Sequence, residues 1–257
     1  MDIHAELKRV TMFLADYAAT LMAVGVQTSR VVRNTGRMAE SFGFQSHMLI
    51  FQRNVIITVN DDEKEHTYTR VQKIPQLGLN FATNMNLSKL SWEVYDNHMS
   101  LDELETRFSE IRDRPRESPW TVLLLVSFAN ACFCRLFTGD IVAMATVWLA
   151  TFVGFFIRQQ LMKRHWNHLA VFTVSSFAAS MIGSTGYLFG WGTTPDMALG
   201  TSMLYLVPGV PLINGVMDII DGHVLAGFSR LVNACMLIIC IALGLSFTLL
   251  ITGISVM

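Results

Sequence analysis

Apolar positions recur every two or every three to four residues in the first 117 residues. Beyond that they run together for a helix-length at a time. Ile3, Leu7, Val10, Leu14, Ala18 and Leu21 predict an amphipathic helix over 3–22, and a second is expected over 27–41, after Gly25. His47-Met-Leu-Ile-Phe, Val55-Ile-Ile-Thr-Val and His66-Thr-Tyr-Thr-Arg-Val read as short strands. Asn60-Asp61-Asp62 and its charged continuation supply a hairpin turn. Helices are predicted again over 76–97 and 101–113, the latter opened by Ser100 with Glu103 in capping-box spacing. Residues 1–117 are therefore expected to form a small α+β domain.

Five long apolar segments follow, at about 120–137, 141–157, 168–190, 197–217 and 231–254. Eighteen residues at ~1.5 Å each cover ~27 Å, enough to cross a bilayer. The expected fold is an α-helical polytopic membrane protein of five transmembrane helices over residues 118–257. The first two spans are joined only by Thr138-Gly139-Asp140, a tight helical hairpin. The fourth is interrupted by Pro208-Gly-Val-Pro211. Each proline lacks an N–H, so carbonyls one turn earlier are expected to lose their partners. Such groups are tolerated in hydrocarbon only under protein or beside a water-filled cavity, as in the broken helices of transporters. The competing reading is a plain proline kink.

Charge sharpens the division. Residues 1–117 hold 14 Lys/Arg and 16 Asp/Glu, and residues 118–257 hold 5 and 4. Mean hydropathy is +0.41 with 52% hydrophobic residues, too apolar for an ordinary soluble domain. Neither half is basic enough to point to nucleic acid. The start has no basic and apolar leader, so no signal peptide is expected. Arg112, Arg114 and Arg116, then Arg158, Lys163 and Arg164, then Arg230 all fall on one side of the five spans. The positive-inside rule then puts the N-terminus in the cytoplasm and the C-terminus outside. Cys132, Cys134, Cys235 and Cys240 read as buried small apolar side chains within spans. His47, His66 and His98 are scattered, and neither a cofactor nor a metal site is expected.

The candidate chemistry follows the proline break. With a helix continued from Asn214 at 100° per residue, Asp218 lies at about 40° and Asp221 at about −20°. The three share one face, and charges so close to a span ordinarily face a cavity or a protein partner. Two carboxylates there are also placed to share a proton, which would suit proton-coupled transport. The alternative is that Asp221 and His223 already stand in water. Arg135, three residues inside the first span, either snorkels outward or holds a substrate carboxylate. Ser176, Ser180 and Ser184 recur every fourth residue of the third span, beside Ala179, Gly183, Gly186 and Gly190. They make either a close helix contact or a hydroxyl-lined path.

Asp218-Ile-Ile-Asp221-Gly222 opens like the metal-binding signature of the CDP-alcohol phosphotransferases. That signature continues with Ala-Arg and a second pair of aspartates; here Leu225 and Ala226 follow and no further acid does. Two carboxylates alone are a thin Mg²⁺ site. An enzyme is not expected.

Pro208-Gly-Val-Pro-Leu-Ile-Asn-Gly-Val-Met-Asp218-Ile-Ile-Asp-Gly222, with Gly227-Phe-Ser-Arg230, resembles the threonine/serine exporter family. Gly25-Val-Gln-Thr-Ser-Arg-Val, Ala39-Glu-Ser-Phe-Gly43 and Leu101-Asp-Glu-Leu-Glu resemble its opening and closing soluble stretches. The resemblance covers nearly the whole chain and is greatest to the larger subunit of two-component bacterial exporters. It implies an inner-membrane exporter subunit for a small carboxylated metabolite, succinate or another dicarboxylate before threonine or serine. It also implies a smaller integral subunit that supplies the remaining spans, and leaves room for a higher-order oligomer. Pro208, Gly209, Pro211, Asn214, Gly215, Asp218 and Arg230 match the family motif and, with Asp221, Arg135, Ser180 and Ser184, are the candidate translocation residues. A membrane scaffold or regulator is the alternative from another class.

The orientation is directly testable. A reporter active only outside the inner membrane should be active when fused after Met257 and silent when fused near Arg164. The reverse pattern would overturn the assignment.

Overall fold

The computed structural model describes residues 3–61 and 66–254. Its elements are α1 (Ile3–Ala23), α2 (Thr28–Ser41), β1 (Gln45–Ile50), β2 (Asn54–Asp61), β3 (His66–Lys73), α3 (Phe81–Asn97) and α4 (Leu101–Arg112). Then come α5 (Pro119–Leu136), α6 (Ile141–Lys163), α7 (His168–Gly183), α8 (Thr185–Phe189), α9 (Pro195–Thr201), α10 (Gly209–Ile220) and α11 (Val224–Thr252). They group into two compact units. One comprises residues up to Pro115 together with Gly209–Val232; the other comprises Arg116–Pro208 and the chain from Asn233 onward.

In the first unit a three-stranded antiparallel sheet, in the order β1-β2-β3, packs against α1. The periodicity of α1 decides this. Leu7, Val10, Leu14, Ala18 and Leu21 are all fully buried, and Val55, Ile57 and Val59 meet them from alternate positions of the central strand. Tyr17 is buried there too, its hydroxyl donating to the Leu87 carbonyl at 2.9 Å. The predicted hairpin turn falls at residues 62–65, outside the described residues. The helix expected from residue 76 begins at Phe81, because Asn80 accepts the Thr83 N–H and caps it. Ser100 caps α4 by accepting from the Glu103 N–H, as its spacing predicts.

In the second unit α5 and α6 form the expected hairpin. The turn ends α5 in a Schellman arrangement, with Gly139 N–H on the Cys134 carbonyl and Thr138 N–H on that of Arg135. Asp140 then caps α6 through the Ala143 N–H and also accepts from the Thr193 N–H and hydroxyl. These bonds, Thr193 foremost, hold its carboxyl down to about 2. A depressed carboxylate contributes its full stability above the ordinary carboxylate range and loses it only as pH falls toward 2. The bond also ties two loops that the charge pattern assigns to one side.

Among the described residues, four helices are long and apolar enough to cross a membrane, with a fifth if the broken segment is one span. Within α5 and α6 only 28% of the most apolar stretch is buried, against 50% in α7, so α7 is the inner helix of its unit. Cys134 and Cys240 are buried, whereas Cys132 and Cys235 lie on exposed faces, which corrects the uniform burial expected of them.

The fourth segment departs most from expectation. It is not one helix opened in its middle. It consists of α9, a 3-10 turn at Leu204–Leu206, extended Val207, and then α10. Pro208 forces Val207 out of the helical region. Pro211 lies in the first turn of α10, where an N–H has no intrahelical acceptor. The carbonyl of Leu204, expected to be free, is taken by the Val207 N–H at 3.1 Å. The Thr201 carbonyl at the end of α9 accepts from Asn130, whose amide also donates to Thr151.

The α7 serines resolve toward packing. Ser176 donates to the Ile241 carbonyl at 2.8 Å, and Ser180 bonds Thr248 at 2.6 Å, both in α11. Gly244 lets the two helices meet there: a methyl group at that position would stand 2.6 Å from the Thr173 carbonyl oxygen. Gly244→Ala should therefore cost about 1–3 kcal/mol. Gly200→Ala, with nothing within 4 Å of the new carbon, should be neutral or slightly stabilising. Thermal unfolding of the detergent-solubilised protein distinguishes them, and equal midpoints would refute the close approach.

Candidate functional site

The site is built where α2 begins. The first N–H groups of any helix need acceptors from outside it, and Gln27, at the N-cap, provides none from its side chain. The cap comes instead from Asp218, 190 residues away in sequence. One carboxylate oxygen accepts the Thr28 N–H at 2.8 Å and the other accepts the Thr28 hydroxyl at 2.8 Å. A carboxylate here also faces the positive end of the α2 dipole. Asp218 is fully buried, and its second oxygen lies 3.2 Å from the Arg230 guanidinium, itself mostly buried. Arg230 donates in turn to the Val26 carbonyl at 2.8 Å.

The predicted face holds. Asn214 donates to the Gly25 carbonyl at 2.8 Å, and Asp221 accepts from Gln27 at 2.8 Å and from the Ser29 hydroxyl. Asn214, Asp218 and Asp221 thus all meet residues 25–29. Each carboxylate has its own set of donors. The helix also stops sooner than the extrapolation assumed. Gly222, at φ +87°, and His223 close α10 in a Schellman motif, with His223 N–H on the Asp218 carbonyl at 2.7 Å and Gly222 N–H on that of Ile219 at 3.1 Å. Asp221 is therefore an exposed residue past the helix end. α10 and the start of α11 then pack back to back, because Gly215 and Gly227 face each other. A methyl group on Gly227 would lie 2.5 Å from the Gly215 carbonyl oxygen.

The remaining candidates lie elsewhere. Pro208, Gly209 and Pro211 shape the entry to α10 and bring no polar side chain to the face. Arg135 donates to the Gly139 carbonyl at 3.1 Å, so it caps the α5–α6 turn, in line with the outward placement. Ser184 is buried and returns its hydroxyl to the Met181 carbonyl of its own helix. Sequence reasoning missed Gln27, Thr28 and Ser29 as partners of the carboxylates. The signal was a polar helix start after Gly25 with no acidic cap of its own. No group of three or more metal-ligating side chains occurs among the described residues.

Several apolar helices of spanning length, together with a small polar α+β fold and a broken helix, mark an integral membrane protein. Residues 12–252 match the family ThrE, described as "Putative threonine/serine exporter", and the chain belongs to that family. It is 29% identical over 255 residues, 97% of this chain and 96% of the relative, to a Klebsiella aerogenes protein named "Probable succinate transporter subunit YjjP". It is 29% identical over 250 residues, 96% of each chain, to the protein of the same name from Escherichia coli K12. No solved structure matches the chain.

The buried pair makes a quantitative prediction. Asp218→Asn and Arg230→Gln should each cost about 3–5 kcal/mol, because each leaves an uncompensated buried partner. The double variant should recover about 1–3 kcal/mol of the sum. Asp221→Asn, at an exposed position, should cost no more than about 1 kcal/mol. A double-mutant cycle on thermal unfolding checks this, and additive costs would mean the two charges do not interact.

Proposed function

We propose that this chain is the larger subunit of a bacterial inner-membrane exporter that moves a small carboxylated metabolite outward. Succinate or a related dicarboxylate is the favoured solute. The observation that carries this reading is the end-to-end likeness to two proteins named as succinate transporter subunits. The family's description favours threonine or serine as the second solute to test. A smaller integral subunit of the same family is the proposed partner. The exposed apolar faces of α5 and α11, among them Leu125, Phe128, Ile239, Leu243 and Phe247, suit contact with that subunit as well as with lipid. With the N-terminus in the cytoplasm, the α+β fold meets solute on the side where export begins.

In the state described, Asp218 holds the Thr28 N–H and hydroxyl and pairs with Arg230, which also donates to the Val26 carbonyl. A solute carboxylate would reach Arg230 only by displacing Asp218, so the Asn214–Asp218–Arg230 face serves translocation as a contact that opens and closes rather than as a standing cup. Proteoliposomes loaded with labelled succinate or threonine test the whole reading. This chain with a co-expressed smaller subunit should release succinate, and either protein alone should not. Release of neither solute by the pair would overturn the export reading, and release of threonine alone would change the solute.

A further inference from the structure

Arg158 lies on α6 five residues before its last residue, Lys163, and so about 7–8 Å in from the helix end. Its guanidinium stands 4.9 Å from the ring centre of Phe172 and 5.5 Å from that of Phe155. Among the described residues it makes no ion pair, although Arg9, Arg112 and Arg230 all do. No acid beyond residue 116 pairs with it: Asp140 caps the opposite end of α6, Asp218 is paired with Arg230, and none of Glu117, Asp196 and Asp221 forms an ion pair with it. A half-buried cation resting on aromatic rings with no anion retains most of its desolvation cost, which an incoming anion would relieve.

The space for that anion is present. An open groove of about 330 Å³ runs past Arg158, near the lower end of the volume range of small-ligand sites. Lys163 and Gln159 also line it, and Gln159 is held by donating to the Pro119 carbonyl at 3.0 Å. The rest of the wall is Pro119, Val122, Phe155 and Met162. Two cations separated by an apolar surface match two carboxylates separated by a short aliphatic chain. A zwitterionic amino acid would set its ammonium against one of the cations. The guanidinium fork suits a carboxylate, while the lysine contributes a point charge.

We propose that this groove receives the solute, with Arg158 binding one carboxylate and Lys163 the other, and that the pair of cations selects a dicarboxylate over a zwitterionic amino acid. This rests on the export reading and names the site and the basis of selection. The phosphate of an anionic lipid offers the same chemistry, so the test separates the two sources.

The full chain is purified into nanodiscs of phosphatidylcholine alone or with added phosphatidylglycerol, and succinate and threonine binding are measured by equilibrium dialysis. Wild type should bind succinate in both lipids and prefer it to threonine. Arg158→Gln should weaken succinate binding roughly ten- to a hundredfold, the range for losing a charge-assisted pair. Arg158→Lys should recover part of it, which excludes misfolding as the cause. Lys163→Gln should narrow the preference over threonine. Arg164→Gln, a neighbouring exposed charge outside the groove, should leave binding unchanged and so exclude a bulk charge effect. Unchanged succinate binding in Arg158→Gln overturns the proposal. So does succinate binding that is absent from wild type while native mass spectrometry finds phosphatidylglycerol retained through Arg158, which assigns the groove to lipid phosphate. Arg158-dependent succinate binding by a protein that releases none in the proteoliposome assay supports the site and overturns the export reading alone.

Discussion

The contact on which the first unit depends is the buried carboxylate of Asp218 at the start of α2. A helix beginning in a protein interior must find acceptors for its first N–H groups, and here an acidic cap comes from α10. Asp218 is tolerated in the interior because it has two donors, the Thr28 N–H and the Thr28 hydroxyl, and an ion-pair partner in the Arg230 guanidinium. Remove any of these and a buried charge or dipole is left uncompensated, which costs more than the bond itself contributes. Chain segments 190 residues apart are thereby held in one register. For the same reason α10 and the beginning of α11 group with the α+β fold.

The second unit meets the complementary constraint, that no backbone group can be left open in hydrocarbon. Its irregular stretches are closed locally. The 3-10 turn satisfies the Leu204 carbonyl, Asn130 reaches the Thr201 carbonyl, and Asp140 and Arg135 cap the two helix ends of the α5–α6 hairpin. Serines that repeat along α7 return their hydroxyls to carbonyls or to Thr248, so their small size lets helices approach while their polarity is absorbed within the protein. Beside these closed groups, the guanidinium of Arg158 stands out for resting on aromatic rings with no ion-pair partner among the described residues.

Much of the architecture was legible because it rests on local periodicity. The spacing from Leu7 to Leu21 marks the buried face of α1, the alternation in Val55–Val59 marks the central strand, and four apolar runs match helices to within a few residues or, at the ends of α6 and α11, about one to two turns. The shared face of Asn214, Asp218 and Asp221 follows from the 3.6-residue turn alone. What faces it does not. The partners are Gln27, Thr28 and Ser29, and nothing in their local pattern says which distant carboxylate will cap them.

The proline break shows the same division more sharply. Pro208 and Pro211 determine by themselves that a regular helix is disturbed there, since ring geometry and the missing N–H act on adjacent residues. Whether the freed carbonyls line a water-filled path or are closed off depends on which side chains arrive from elsewhere. Tertiary packing answered with a 3-10 turn and Asn130. The sequence likewise determined that this chain is part polar fold and part membrane helix, because hydrophobicity is a property of each residue. Only the tertiary structure decided which charges are paired and which wait for a partner, because pairing depends on distances between residues that the chain's order leaves open.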